Sequence, residues 1–301
     1  MFVGAGVQVF TVTAITITYS VADIYFDKGA LVGVATGVFP WLGMFNGYTA
    51  SRLYKFFNGS KWGKLDFCCM FFLPGFISAC LMIIDLCEWI ETGRSDTIPV
   101  REALVLALYW FVVHVPLCFV GSYVGFSTRK INTPVKTNRM QREVEVNADR
   151  APFWCEIPAF GLIAAFLPTC VLMLQLWQIM EVVNGAANMY ALHGMLYVVF
   201  ICFIIVVIEV SVIYTYITLS TEEPNWWWRV WWAGSLIGFY GFLIMLFYLL
   251  VDLRVEYVTT LISYCTACVL SSSMIGLMAA SITMLIAFLF NLMIYRRVKL
   301  E

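Results

Sequence analysis

Charge is what this chain has least of. Charged residues make up 12% of its 301, hydrophobic ones 62%, and mean hydropathy is +0.86. Soluble domains carry roughly 25% charged and 45–50% apolar residues. Between Tyr257 and Tyr295 there is no charged residue at all, whereas a helix that spans a bilayer needs only about 20 apolar positions. A soluble fold is excluded by that run alone. The net charge of −1 leaves no basic domain for nucleic acid. Histidine is nearly missing, with two in the chain, and the single C-x-x-C, Cys265 and Cys268, has no second ligand pair near it. Two thiols one turn apart in an apolar helix read as packing residues rather than a zinc site. No H-E-x-x-H, glycine-rich phosphate loop or nucleophile motif occurs, so neither hydrolase nor nucleotide-driven pump is supported, and no enzyme, metal or cofactor is expected.

What is present is a series of apolar segments, at about 2–22, 30–50, 67–90, 103–126, 157–180, 190–219, 230–251 and 260–295. Most exceed 18 residues with few or no charges, the criterion for a spanning helix. They predict an all-α integral membrane protein: one polytopic bundle of about eight transmembrane helices over 1–301, with a polar loop at 127–156 and a tail at 296–301. The loop, with six basic and four acidic residues, suits a solvated linker or contact with anionic lipid or a partner. The closing run would measure nearly 60 Å as one helix, about twice a hydrocarbon core. It is therefore one long helix or two short ones.

The distribution of lysine and arginine decides between them. One set of alternate loops holds Arg52, Lys55, Lys61 and Lys64, then Arg129, Lys130, Lys136, Arg139, Arg142 and Arg150, then Arg229, then Arg296, Arg297 and Lys299, fourteen of the eighteen basic residues. The other holds Lys28, Arg94, Arg101 and Arg254. By the positive-inside rule the first set is cytosolic. Both termini are then cytosolic, the number of crossings is even, and the closing run is one long helix. Asn58-Gly59-Ser60, the only N-glycosylation sequon, falls on the cytosolic side. It is expected to carry no glycan; a mobility shift on glycosidase treatment would invert the topology.

Polar groups inside a bilayer cost free energy, so each is a functional candidate. Glu209 lies within 190–219. His114 precedes Pro116 by two residues, and a proline can open a helix locally. Asp85 and Glu88, spaced i, i+3, share one helix face near its end. These four could line an ion or proton path, or they are interfacial and structural groups. Six Gly-x-x-x-Gly pairs occur, among them Gly43/Gly47, Gly121/Gly125 and Gly234/Gly238. Chance would give roughly one, and the excess indicates close helix contact, either within the chain or with helices of client proteins. Trp226-Trp227-Trp228-Arg229 opens the seventh segment as an interfacial anchor.

That tryptophan run, preceded by Asn225, resembles a signature of the nonaspanins, the nine-transmembrane superfamily. The resemblance extends in order along nearly all of the chain. It includes Gly4-Ala5-Gly6-Val7-Gln8, Ser51-Arg52-Leu53-Tyr54-Lys55, Pro74-Gly75, Val115-Pro116-Leu117, Gly121-Ser122-Tyr123-Val124-Gly125-Phe126 and Pro134-Val135-Lys136-Thr137-Asn138, with Glu209 seventeen residues before Trp226. Asp85 and Glu88 depart from the family pattern, which has an asparagine and an apolar residue there. On this resemblance the chain corresponds to the family's C-terminal eight helices, without its lumenal N-terminal domain. The resemblance implies a multi-pass protein of Golgi and endosomal membranes that sorts and localises other membrane proteins, including clients with glycine-rich helices. It also implies that Lys299 and Glu301 of the terminal Lys299-Leu300-Glu301 form a retention signal read by the coatomer coat. The partners expected are thus the coat, client membrane proteins and the lipid bilayer, with no nucleic acid. The competing expectation is an ion- or proton-coupled transporter or channel using Glu209 and His114.

Overall fold

The computed structural model describes residues 1–22, 28–92, 100–135, 157–183, 189–221, 225–251 and 257–297. Among these residues every regular element is a helix, and seven stretches are long and apolar enough to cross a membrane: Phe2–Val21, Trp62–Glu91, Arg101–Ser127, Phe160–Trp177, Gly194–Ser220, Trp226–Val251 and Val258–Arg297. The protein is all-α and polytopic. The cause is the solvent: hydrocarbon offers backbone groups no partner, so a spanning segment must bond internally. The expected loop lies outside the described residues from 136 onward, and so does the tail from residue 298.

The segment expected as one helix over 30–50 is two. α1 (Phe2–Ala22) is followed by α2 (Lys28–Val38), a turn at 39–42, and α3 (Gly43–Phe56). Pro40 has no N–H to donate and its ring crowds the preceding turn. Gly43 N–H bonds the carbonyl of Pro40 at 3.2 Å rather than that of Phe39. In a continuous helix the carbonyls of Gly37 and Phe39 would accept from residues 41 and 43. Here Tyr109 Oη donates to Gly37 O at 2.9 Å and Gln8 Nε2 to Phe39 O at 2.9 Å. Trp41 Nε1 donates to the same Tyr109 hydroxyl at 2.7 Å. Side chains from elsewhere thus satisfy the carbonyls that the break exposes.

α4 (Trp62–Thr92) carries Pro74 inside it. α5 (Val100–Tyr109) passes through one π turn, Trp110–His114, into α6 (Val115–Ser127). The π turn closes with Val115 N–H on Trp110 O, just ahead of Pro116, which has no N–H to continue the regular ladder. α7 (Ile157–Val183) contains Pro168, and α8 (Met189–Ser220) and α9 (Trp226–Val251) follow. The closing run lies in a single helix of 40 residues, α10 (Val258–Arg297), whose last turn carries Arg296 and Arg297.

The chain forms two compact units. One comprises Met1–Lys130 with Gly241–Met278; the other comprises Ile131–Tyr240 with Ala279–Glu301. In the first, α3 and α6 lie backbone to backbone. A Cβ on Gly47 would fall on the carbonyl of Cys118 and 2.8 Å from Ser122 N, and one on Gly121 would fall on the carbonyl of Met44. Gly125 likewise faces Ser51 Oγ and Tyr48 O. In the second unit Gly234 faces Ala280 and Thr283, and Gly238 is buried. Its core joins Ala164, Tyr214, Val230, Ala233 and Ala287.

Candidate functional site

Three polar side chains of the first unit are wholly buried together: Gln8 on α1, Asn46 on α3 and His114 at the end of the π turn, each 0% exposed. Asn46 Nδ2 donates to Gln8 Oε1 at 3.1 Å and to Cys69 O on α4 at 3.2 Å. Gln8 Nε2, already bonded to Phe39 O, stands 3.5 Å from His114 Nδ1. The cluster therefore ties α1, α3 and α4, the π turn and the break between α2 and α3 into one network. Such a network is strong only if its members are satisfied, because unpaired polar groups in low dielectric are costly. Among the described residues, Asn46 Oδ1 and His114 Nε2 have no partner meeting hydrogen-bond geometry.

Small residues make this geometry possible. The imidazole lies nearly parallel to the Phe39 ring, 11° apart with centroids at 5.8 Å. A Cβ at Gly43 would come within 2.6 Å of His114 Nδ1 and 2.8 Å of Cε1, and a Cβ at Gly4 within 2.5 Å of Asn46 Oδ1. Gln8 and Asn46 escape a sequence search that counts charges. Their signal is weaker: an uncharged amide in the middle of an apolar run, next to a glycine that lets another helix approach.

The remaining sequence candidates lie elsewhere. Asp85 and Glu88 are half-buried on α4, sixteen residues beyond Cys69, or about 24 Å of helix. Glu209 belongs to the second unit and is exposed. On α8 the inward positions are Phe203, Val207, Ser211, Tyr214 and Thr218, all nearly inaccessible. Ser211 Oγ donates to Thr283 O at 2.9 Å on α10. Glu209 shares the opposite face with Ile205 and Ile213, one helical turn on either side. No hydrogen bond or ion pair reaches it from the described residues. Trp226, Trp227, Trp228 and Arg229 form the first turn of α9. Trp226 packs on the core of the second unit while Trp228 is 54% exposed. Lys299 and Glu301 lie outside the described residues.

Comparison with known proteins finds relatives along the whole chain. The family described as Endomembrane protein 70 matches residues 1–258. The chain is 28% identical over 304 aligned residues to Transmembrane 9 superfamily member 8 of Arabidopsis thaliana, covering 100% of this chain and 46% of that protein. It is 28% identical over 304 residues to member 4 of Homo sapiens, covering 99% and 46%. With member 2 of Mus musculus it shares 29% over 304 residues, covering 100% and 45%. The chain thus spans about half the length of the curated relatives it matches. No solved structure matches it.

Proposed function

Because the chain belongs to the Endomembrane protein 70 family, whose similar curated members carry the name of the transmembrane 9 superfamily, we propose that it is a non-enzymatic sorting factor of Golgi and endosomal membranes. It binds other membrane proteins through its helix surfaces, and its tail, Lys299-Leu300-Glu301, engages the coatomer coat.

The observation that carries this reading is the orientation of Glu209. Gly194–Ser220 contains the most apolar 18-residue stretch of the seven spans, with a mean hydropathy of 3.0, and Glu209 lies near the middle of the span on the exposed face. A charged group at mid-bilayer costs about 2.5–3.5 kcal/mol on insertion scales, and such groups normally face the bundle interior. An outward carboxylate is stabilised by a neighbour that brings a donor to it at the same depth. A transmembrane helix with a polar or basic residue at mid-span meets that need, and the flanking Ile205 and Ile213 supply apolar contact. The glycines at 43, 47, 121, 125 and 234 already serve contacts inside the chain, which leaves the α8 face for a client.

Two variants test it in cells that lack the endogenous protein. Lys299→Ala with Glu301→Ala is expected to move the protein out of the Golgi without changing its thermal stability. Glu209→Leu is expected to leave the protein in place and to reduce surface delivery of polar-helix clients several-fold. A proton or ion flux in reconstituted vesicles that Glu209→Gln abolishes, with client location intact, would overturn sorting in favour of transport.

A further inference from the structure

Where α3 ends, the chain makes a tightly built corner. Gly59 N–H bonds Tyr54 O at 3.0 Å and Asn58 N–H bonds Lys55 O at 3.3 Å, the paired bonds of a Schellman motif, with Asn58 in the left-handed conformation at φ 57°. Gly59 sits flat against the Tyr54 ring, where a Cβ would collide with it. Lys61 N–H then donates to Tyr54 Oη at 2.8 Å, and the Tyr54 ring meets Trp62 edge-on at 5.3 Å. A second corner, after α6, is fastened to the first. Arg52 Nη1 donates to Arg129 O, and Lys55 Nζ donates to Phe126 O and, at 2.9 Å, to Thr128 O. Lys130 Nζ donates to Asn58 Oδ1.

The two corners therefore form one platform, and its charge is unbalanced. Residues 51–66 and 128–130, all of the first unit, hold Arg52, Lys55, Lys61, Lys64, Arg129 and Lys130, with Asp66 as the one acid. Arg52 and Lys55 are half-buried; Lys55 is spent on carbonyls at the end of α6, where a cation suits the helix dipole, and Arg52 on the Arg129 carbonyl just beyond it. Lys61, Lys64, Arg129 and Lys130 are exposed. The platform adjoins Trp62, where one span begins, and Ser127, where another ends, so it stands at headgroup depth, with Tyr54 and Trp62 in the interfacial position that aromatic residues favour.

We propose that this platform binds the phosphorylated headgroup of a phosphoinositide in the adjoining leaflet. A phosphomonoester carries close to two negative charges and three acceptor oxygens, which matches several exposed cations on one platform better than the single net charge of phosphatidylserine does. The rigid corner pre-orders the site: its backbone is locked by Tyr54 and Asn58 before any lipid arrives, which lowers the ordering cost of binding.

The full chain, in phosphatidylcholine nanodiscs doped with phosphatidylinositol 4-phosphate or with phosphatidylserine, gives the test by native mass spectrometry of retained lipid. Retention of the phosphoinositide is expected to exceed that of phosphatidylserine. Lys61→Gln with Lys64→Gln is expected to lower it about tenfold or more, from the attraction of basic side chains to anionic headgroups, without changing thermal stability in pure phosphatidylcholine. Should that pair fail to fold, Arg129→Gln, whose side chain takes no part in fastening the corners, carries the same direction of effect. Equal retention of both anionic lipids, retention unmoved by either variant, or displacement by soluble inositol phosphate at stoichiometric concentration would overturn it. None of these readouts depends on the sorting role.

Discussion

Gly47→Leu is expected to abolish recovery of folded protein, or to destabilise it by roughly 3 kcal/mol or more, at the upper end of overpacking costs. The reason lies in what the new side chain would strike. It meets the Cys118 carbonyl and the Ser122 amide nitrogen, both backbone atoms of α6, so no rotamer change relieves the clash and the helices must separate. Separation would disturb the opposing contact, Gly121 on the Met44 carbonyl, because both lie in the same seam. It would also loosen Ser122 Oγ from Gly47 O. Gly75→Ala is the matched control. Nothing stands within 4 Å of a Cβ there, and alanine is expected to hold or gain up to about 1 kcal/mol through helix propensity. Size-exclusion profiles of fluorescent fusions, followed by thermal melts, read both. A Gly47→Leu protein that elutes and melts like the parent would show that the α3–α6 seam is not closely packed.

That seam was legible as a pattern and not as a pairing. Gly43/Gly47 and Gly121/Gly125 stand out in sequence because chance does not repeat the spacing so often. Nothing in the spacing says that Gly47 meets Cys118 and Ser122, or that Gly121 meets Met44. The all-α class was legible for a stronger reason: hydrocarbon leaves a spanning chain few alternatives to a helix. The same rule hid the break at 39–42. Pro40 is tolerated in spanning helices, and hydropathy runs unbroken through 30–50. What decides the break is tertiary, since Gln8 and Tyr109, 31 and 72 residues away from Phe39 and Gly37, take the carbonyls that it exposes. Glu209 was legible as costly, but the direction in which it points is a property of packing. That direction, exposed beside Ile205 and Ile213, is the ground on which a neighbouring helix is proposed for it.

The buried amides should yield the second large effect. Asn46→Ala removes both donors of the side chain at once and leaves Gln8 Oε1 and Cys69 O without them. Interhelical hydrogen bonds in membranes average about 0.6 kcal/mol and reach about 1.7. Two lost together, with buried acceptors left behind, lead to an expected destabilisation of about 2 kcal/mol. Gln8→Ala is expected to cost a similar amount, since it frees Phe39 O and breaks the same bond from the other side. The pair should therefore be non-additive: a double variant falls short of the summed losses by about 0.5–1.5 kcal/mol, as expected for residues in one network. Gln8 carries a further consequence that Asn46 does not. Its amide stabilises the end of α2 through Phe39 O, so its loss should also raise hydrogen exchange at the 39–42 turn, whereas Asn46→Ala should leave that turn protected. Steric-trapping measurements in bicelles supply the free energies, and exchange mass spectrometry supplies the local readout. Strict additivity would mean that the two amides do not act through a shared bond. Equal exchange in both variants would mean that the break in the helix is held by Pro40 and Tyr109 without help from α1.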